Sequence, residues 1–248
     1  MGQRIVLAYD GKADLAPAVA SLLEEHAADV VTLTLDIGDG TPVDGIRDVL
    51  LARGAARAHV LEVQEAFARE IILPAARAGS FHERSLTSLA RPLTARKLVE
   101  IARIERASAI AYVTDEHDDG ELRRLLEGLD PSIEVIPLKG AAVDVRRSPV
   151  KRTSLPAAAD VGLSFANGIP TAINGIAMRL PELIDSLATI SAEHGIGTSA
   201  HVFMPALAVL HCSFAALGAS RDGVVHLKLS NGTCQVTSFE HLHPEAAE

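Results

Sequence analysis

Arg4-Ile5-Val6-Leu7-Ala8-Tyr9, followed by Asp10-Gly11-Lys12-Ala13-Asp14 and an apolar repeat at helical spacing as far as His26, is the stretch on which the fold turns. An apolar run of strand length, a turn carrying a glycine, and a period near 3.6 read as strand, loop and helix. The same rhythm recurs along the chain. Residues 30–36, 58–63, 109–113 and 134–136 are short apolar runs, and residues 43–53, 64–78, 88–106 and 120–129 repeat apolar positions at helical spacing. Strands alternating with helices predict an α/β domain over residues 1–139, with a parallel, Rossmann-like sheet covered by helices on both faces. Ligands of such sheets bind beyond the carboxyl ends of the strands, so the loops after strands one, two and four are where function is expected.

The character of the chain changes after residue 139. Residues 140–158 hold Gly140, Pro149, Pro156 and the basic cluster Arg146, Arg147, Lys151 and Arg152, and read as a linker. Residues 159–248 are expected to form a small α+β domain. Strands at 161–165 and 169–173 flank Asn167-Gly168, a strong hairpin signal, and Asn174-Gly175 marks another turn. Residues 181–194 open on Pro181 and end before Gly195, the expected asymmetry of a helix. A second helix is predicted at 204–217, and strands at 224–230 and 233–239 close on Asn231-Gly232.

Composition narrows the function classes. With 48% apolar residues, 3% aromatic residues and no Trp among 248, the core must be built from Ala, Val, Ile and Leu, which suits helices packed closely on a sheet. A formal charge of −9 repels nucleic acid, so no nucleic-acid partner is expected. No apolar run approaches the ~20 residues that span a bilayer, and a cytoplasmic protein without a signal peptide is expected. The two cysteines, Cys212 and Cys234, form no CxxC pair and can make at most one disulfide; a reduced setting is the simpler reading. A homo-oligomer fits the Ala- and Val-rich composition, without indicating a symmetry.

Four short stretches could carry chemistry. The loop Tyr9-Asp10-Gly11-Lys12-Ala13-Asp14 feeds a helix start, where free N–H groups and the helix dipole favour an anion, but Asp10 or Asp14 can equally serve as a plain cap. Asp36-Ile37-Gly38-Asp39-Gly40 places a carboxylate where α/β folds reach ribose or base, and a tight loop accounts for it as well. Thr87 and Ser88 at a helix start, with Arg91 following, could hold a carboxylate or simply cap the helix. Asp115-Glu116-His117-Asp118-Asp119 offers oxygen ligands to a hard cation, or is a solvated acidic loop; no metal site is assigned. His211 and Cys212 are neighbours on a helix and diverge by about 100°, so they form no direct nucleophile–base pair.

Longer strings go further. Arg4-Ile5-Val6-Leu7-Ala8-Tyr9, Leu35-Asp36-Ile37-Gly38, Ser88-Leu89-Ala90-Arg91-Pro92-Leu93 and Lys97-Leu98-Val99-Glu100-Ile101-Ala102 resemble argininosuccinate synthase. So do Asn174-Gly175, Leu183-Ile184, His194-Gly195-Ile196-Gly197 and Val225-His226-Leu227-Lys228-Leu229. The resemblance implies a shortened member of the N-type ATP pyrophosphatases, with an adenine nucleotide alpha hydrolase-like sheet. That family activates the ureido oxygen of citrulline with ATP, releases pyrophosphate, and lets the amine of aspartate displace AMP. It implies nucleotide contacts at Ala8, Tyr9, Gly11, Lys12, Asp14, Asp36, Ile37 and Gly38, and substrate contacts at Thr87, Ser88, Arg91 and Thr114. ATP with Mg²⁺ is implied if the nucleotide site is retained.

The departures fall on the reacting groups. The family's S-G-G-x-D-T-S loop reads Asp10-Gly11-Lys12-Ala13-Asp14-Leu15-Ala16 here, so three hydroxyl donors are gone and a carboxylate is added. Each lost preorganised donor costs about 3 kcal/mol of transition-state stabilisation. The family's T-G-K-G-N-D-Q-V-R-F-E stretch reads Thr114-Asp115-Glu116-His117-Asp118-Asp119-Gly120-Glu121, a poor receptor for two carboxylate substrates. The S-R-G-x-Y-E-T-P region and the C-terminal arm associated with tetramers are absent. The expectation is a repurposed protein that has lost ATP-driven citrulline–aspartate ligation. It would bind or transform an amino-acid-like ligand, or act as a partner subunit. The alternative is a working ATP-dependent ligase, forming AMP and pyrophosphate, with altered substrates in specialised metabolism.

Overall fold

Strand β1 (Arg4–Tyr9) lies at the centre of a five-stranded sheet, and Ile5, Val6 and Leu7 in its middle are fully buried. The computed structural model describes residues 3–10, 16–80, 86–114, 120–139, 157–197 and 201–241. Two compact units are present, one of Met1–Gln64 with Ala90–Val145, the other of Glu65–Leu89 with Arg146–Glu248.

In the first unit, β1 is followed by α1 (Ala16–His26), β2 (Asp29–Asp36), α2 (Ile46–Ala52) and β3 (Arg57–Glu62). After an excursion come α5 (Leu86–Glu105), β4 (Ala109–Thr114), α6 (Glu121–Leu129) and β5 (Glu134–Lys139). The strand order is β3-β2-β1-β4-β5 and every pairing is parallel, as the alternating rhythm predicts. Side chains alternate across a strand, so β1 feeds two cores. Ile5 and Leu7 join Val30, Ala58 and Ala111 against Val19 and Leu22 of α1 and Ile46 and Leu50 of α2. Val6 joins Val31, Leu33 and Ile110 against Leu98, Val99 and Ala102 of α5 and Leu126 of α6. Burying each large aliphatic side chain contributes about 1.5–3 kcal/mol, and small Ala residues on the strands and α5 let the layers approach.

The excursion between β3 and α5 is a helical run of α3 (Gln64–Phe67), a π-helical turn (Ala68–Ile72) and α4 (Leu73–Ala78). The sequence pattern predicts one helix at 64–78 within the first domain. The structure breaks it with the π turn and assigns Glu65–Leu89 to the second unit. The reason lies in α8 (Met204–Leu217), which buries residues around most of its circumference, among them Met204, Leu207, Leu210, Ser213 and Leu217. A helix apolar on several sides needs cover beyond one sheet face. The buried small residues Ala75 and Ala76 let α4 pack along it. The Nδ1–H of His211 donates to the Ala76 carbonyl at 2.8 Å, and Arg77 lies 4.7 Å over the Phe214 ring while donating to the Gly168 carbonyl.

The sheet of the second unit has the order β10-β9-β6-β7-β8 and is antiparallel throughout. Its strands are β6 (Ala159–Ala166), β7 (Ile169–Ile173), β8 (Ile176–Ala177), β9 (Gly223–Ser230) and β10 (Thr233–Glu240). Three Asn-Gly pairs turn it. Asn167-Gly168, Asn174-Gly175 and Asn231-Gly232 all have positive φ at both positions, the two-residue turn whose twist matches the flanking strands. The short β8 after Asn174-Gly175 has no counterpart in the sequence reading, because two residues carry no periodicity. Helix α7 (Leu180–Glu193) packs on β7 and α8 on β9 and β10. The predicted linker at 140–158 lies outside the described residues except for its last two.

At the amino ends of the first sheet's strands a carboxylate is enclosed by cations. The Glu105 side chain, 1% exposed, accepts from Arg4 at 3.1 Å, Arg57 at 3.1 Å and His59 at 2.8 Å, which ties the end of α5 to β1 and β3. Burial pushes the Glu105 carboxyl up, but the hydrogen bonds and charges of His59 and Arg57 outweigh it and hold it below the ordinary carboxylate range. A depressed folded-state value means that the stabilisation is full above the unfolded value of about 4.3 and is lost as pH falls through the lower folded value. Glu105→Gln should therefore lower the unfolding free energy by about 2 kcal/mol near neutral pH, since it strands two arginines that are only partly solvated. In urea titrations the gap between wild type and variant should close towards pH ~3. A gap that persists there would show that the charge of Glu105 is not what stabilises this end of the sheet.

Candidate functional site

The chain passes from β1 to β2 on one side, while β4 lies on the other. Connections leaving the two halves of a parallel sheet in opposite directions open a crevice at its carboxyl end. The sequence-predicted residues of the first unit gather at that end. Ala8 and Tyr9 close β1 half-buried, and Asp10 beyond them is exposed. Gly11, Lys12 and Asp14 lie outside the described residues.

Asp36, the last residue of β2, is held from two sides. Its Oδ1 accepts the Gly38 N–H at 3.0 Å, closing a turn across the half-buried Ile37, and its Oδ2 accepts from Gln64 Nε2 at 3.0 Å. Gly38 has φ +79°, a conformation a side chain would strain, and its open flank faces the Gln64 side chain. Asp39 repeats the device, with Oδ1 accepting the Thr41 N–H at 3.0 Å. The carboxylate of Asp36 is thus fixed in direction before any ligand arrives. The sequence pattern points to Asp36 but not to Gln64, whose position just past the third strand carries no signal of its role.

On the other side of the switch, Arg91 of α5 donates through Nη1 to Glu121 Oε2 at 2.8 Å, with both side chains mostly buried. Glu121 opens α6, where a carboxylate also complements the helix dipole. The carboxylate expected opposite Arg91 is therefore supplied by the chain itself, a pairing that sequence reasoning misses because thirty positions separate the partners. Thr114, at the end of β4, donates its hydroxyl to the Leu138 carbonyl at 3.2 Å and ties β4 to β5. Ser88 is half-buried in the first turn of α5 and belongs to the second unit, as does Thr87. The structure thus joins Asp36 with Gly38, and Arg91 with Glu121, while Thr87 and Ser88 fall in the other unit.

Among the described residues no group of three or more His, Cys, Asp or Glu side chains is placed to hold a metal ion, and the acidic loop 115–119 lies outside them. No helix among them is long and apolar enough to cross a membrane.

A parallel sheet in the order β3-β2-β1-β4-β5, with a fixed acid at the carboxyl end of β2, defines an α/β domain of the nucleotide-binding kind. Residues 4–148 match the family model described as the arginosuccinate synthase N-terminal HUP domain, and the chain belongs to the argininosuccinate synthase family. Among curated relatives, the argininosuccinate synthase of Streptococcus suis (strain 05ZYH33) is 28% identical over 81% of this chain and 64% of its own length. That of Nitratidesulfovibrio vulgaris (strain DP4) is 31% identical over 79% of this chain and 63% of its own. The chain therefore spans somewhat under two thirds of the length of these relatives. Among solved structures, the universal stress protein from Archaeoglobus fulgidus aligns with 55% of this chain and 93% of its own, at 18% identity and a TM-score of 0.32, a likeness too slight to argue from.

The two bonds on Asp36 can be tested directly. Asp36→Ala should cost about 1–2 kcal/mol in chemical denaturation and speed amide exchange at Gly38, because one part-buried N–H and one amide lose their acceptor. Unchanged exchange at Gly38 would mean that the turn does not depend on this carboxylate.

Proposed function

We propose that this chain is an argininosuccinate synthase-like protein in which ATP-driven ligation of citrulline and aspartate has been lost. It keeps the nucleoside-facing frame of the crevice for an amino-acid-like ligand or for service as a partner subunit. The observation that carries the reading is the residue set Asp10-Gly11-Lys12-Ala13-Asp14-Leu15-Ala16 after β1. A leaving pyrophosphate needs several fixed donors, and this loop offers no hydroxyl while adding an exposed carboxylate at Asp10. The phosphate groups of ATP fit such a loop poorly.

The Arg91–Glu121 pair supports the same reading. A ligand carboxylate reaching Arg91 has to compete with an internal one already within 2.8 Å. A neutral or amine-bearing ligand end meets no such competition. The frame that would face a nucleoside is intact, with Asp36 aimed by Gly38 and Gln64. An active ligase with altered substrates is the second reading, and it rests on Gly11 and Lys12, which together could still cradle an anion as backbone N–H and point charge.

Two measurements separate them. Calorimetric titration of ATP with Mg²⁺, followed by assay of pyrophosphate release with citrulline and aspartate and then with other amino-acid pairs, should give no turnover. Turnover abolished by Lys12→Ala would overturn the proposal in favour of the ligase. Arg91→Ala should weaken an amino-acid ligand found by screening by about tenfold or more, the worth of one charge-assisted hydrogen bond, with or without ATP. Binding that requires ATP would again favour the ligase, and no change on substitution would remove Arg91 from the ligand site.

A further inference from the structure

The two cysteines lie far apart in sequence, one on α8 and one on β10, and the fold brings them together. Helix α8 packs across β10, and the thiols of Cys212 and Cys234 stand within hydrogen-bonding distance of each other. Both are reduced and neither is fully buried. Cys234 is paired in register with the fully buried Leu229, so its strand position is fixed, and Cys212 lies on a helix packed along most of its surface. The neighbouring His211 ring is held in place by its bond to the Ala76 carbonyl. Nothing in the family-derived site uses any of these residues.

We propose that Cys212 and Cys234 form a reversible intrachain dithiol–disulfide couple, with Cys212 the attacking thiol, Cys234 the resolving thiol and a low-molecular-weight disulfide the oxidant. Two half-buried thiols in mutual contact differ from cysteines used as small apolar fillers, because bond formation between them needs only local movement.

The polarity of the pair follows from its hydrogen bond. Donation from Cys234, opposed by burial and aided by the charge of His211 and a backbone N–H, lowers the Cys212 thiol to about 6, whereas its partner is pushed up. Near neutral pH the pair is therefore a thiolate at Cys212 receiving a proton contact from Cys234. The thiolate attacks one sulfur of the oxidant, the oxidant's S–S bond breaks, and the first thiol leaves with a proton from solvent. That step removes the negative charge that disfavours ionisation of Cys234. Cys234 then loses its proton to solvent and attacks Cys212 Sγ, expelling the second thiol. Two protein thiols are oxidised by two electrons, and one small disulfide is reduced to two thiols.

Oxidised glutathione added to the reduced full chain tests this. The expected result is paired loss of both titratable thiols, an intact mass lower by two hydrogens and no retained glutathione. The rate should rise with pH and level off once Cys212 is ionised, with its midpoint near the printed value of about 6. Cys234→Ser should keep one glutathione on Cys212, and Cys212→Ser should react at least about tenfold more slowly than wild type. Circular dichroism of both variants checks that they fold, and the wild-type result stands without them. Two thiols that persist after equilibration, a glutathione adduct retained by the wild type, or a covalent dimer would each overturn the proposal.

Discussion

A strand buried on both faces has no side left for water, and β1 meets that condition through Ile5, Val6 and Leu7. Its parallel register with β2 and with β4 is fixed by side chains that enter two cores by turns: a shift of one residue would exchange the sets facing α1 and α5. Because β1 is the strand from which the two halves of the sheet diverge, that register also sets where Tyr9 ends and where the crevice opens. The Glu105 cluster holds the opposite end, so the sheet is pinned at its amino edge by charge and in its middle by packing. Only its carboxyl edge is left to loops.

Much of this frame is legible in the sequence because its signals are local. Alternation of apolar runs with helical spacing yields the five parallel strands, and each Asn-Gly pair yields a turn between paired strands. The fate of residues 64–89 is not legible. Phe67, Ile72, Leu73 and Ala76 have the spacing of a helix that could lie on either unit, and their pattern says only that one face is buried. What decides the matter is the breadth of the apolar surface on α8, more than a hundred positions away. The π turn is hidden for a related reason, since an added residue in one helical turn hardly alters a composition window.

The candidate site divides in the same way. Asp36 stands out because a carboxylate ending an apolar strand is conspicuous, and Gly38 because a turn follows it. Gln64 and Glu121 do not stand out: each completes a pair whose other member lies on a different element, and single-sequence patterns hold no information on such pairs. Arg91 illustrates the cost. Read alone it is a receptor for a ligand carboxylate; read with Glu121 it is half of an internal pair, which changes the kind of ligand end the crevice would accept.

The interleaving of the two units bears on how the chain is made. As synthesis proceeds, Phe67, Ile72 and Leu73 leave the ribosome well before the helix that buries them, so the emerging chain carries an apolar segment with no native cover for most of its elongation. The first sheet can close around that segment once β5 has emerged, since its strands need nothing that comes later. The second cannot assemble until α8 and the closing hairpin are out. A nascent chain of this design is therefore a natural client for factors that shield exposed hydrophobic stretches, and cutting it in two at residue 139 would leave that stretch permanently uncovered.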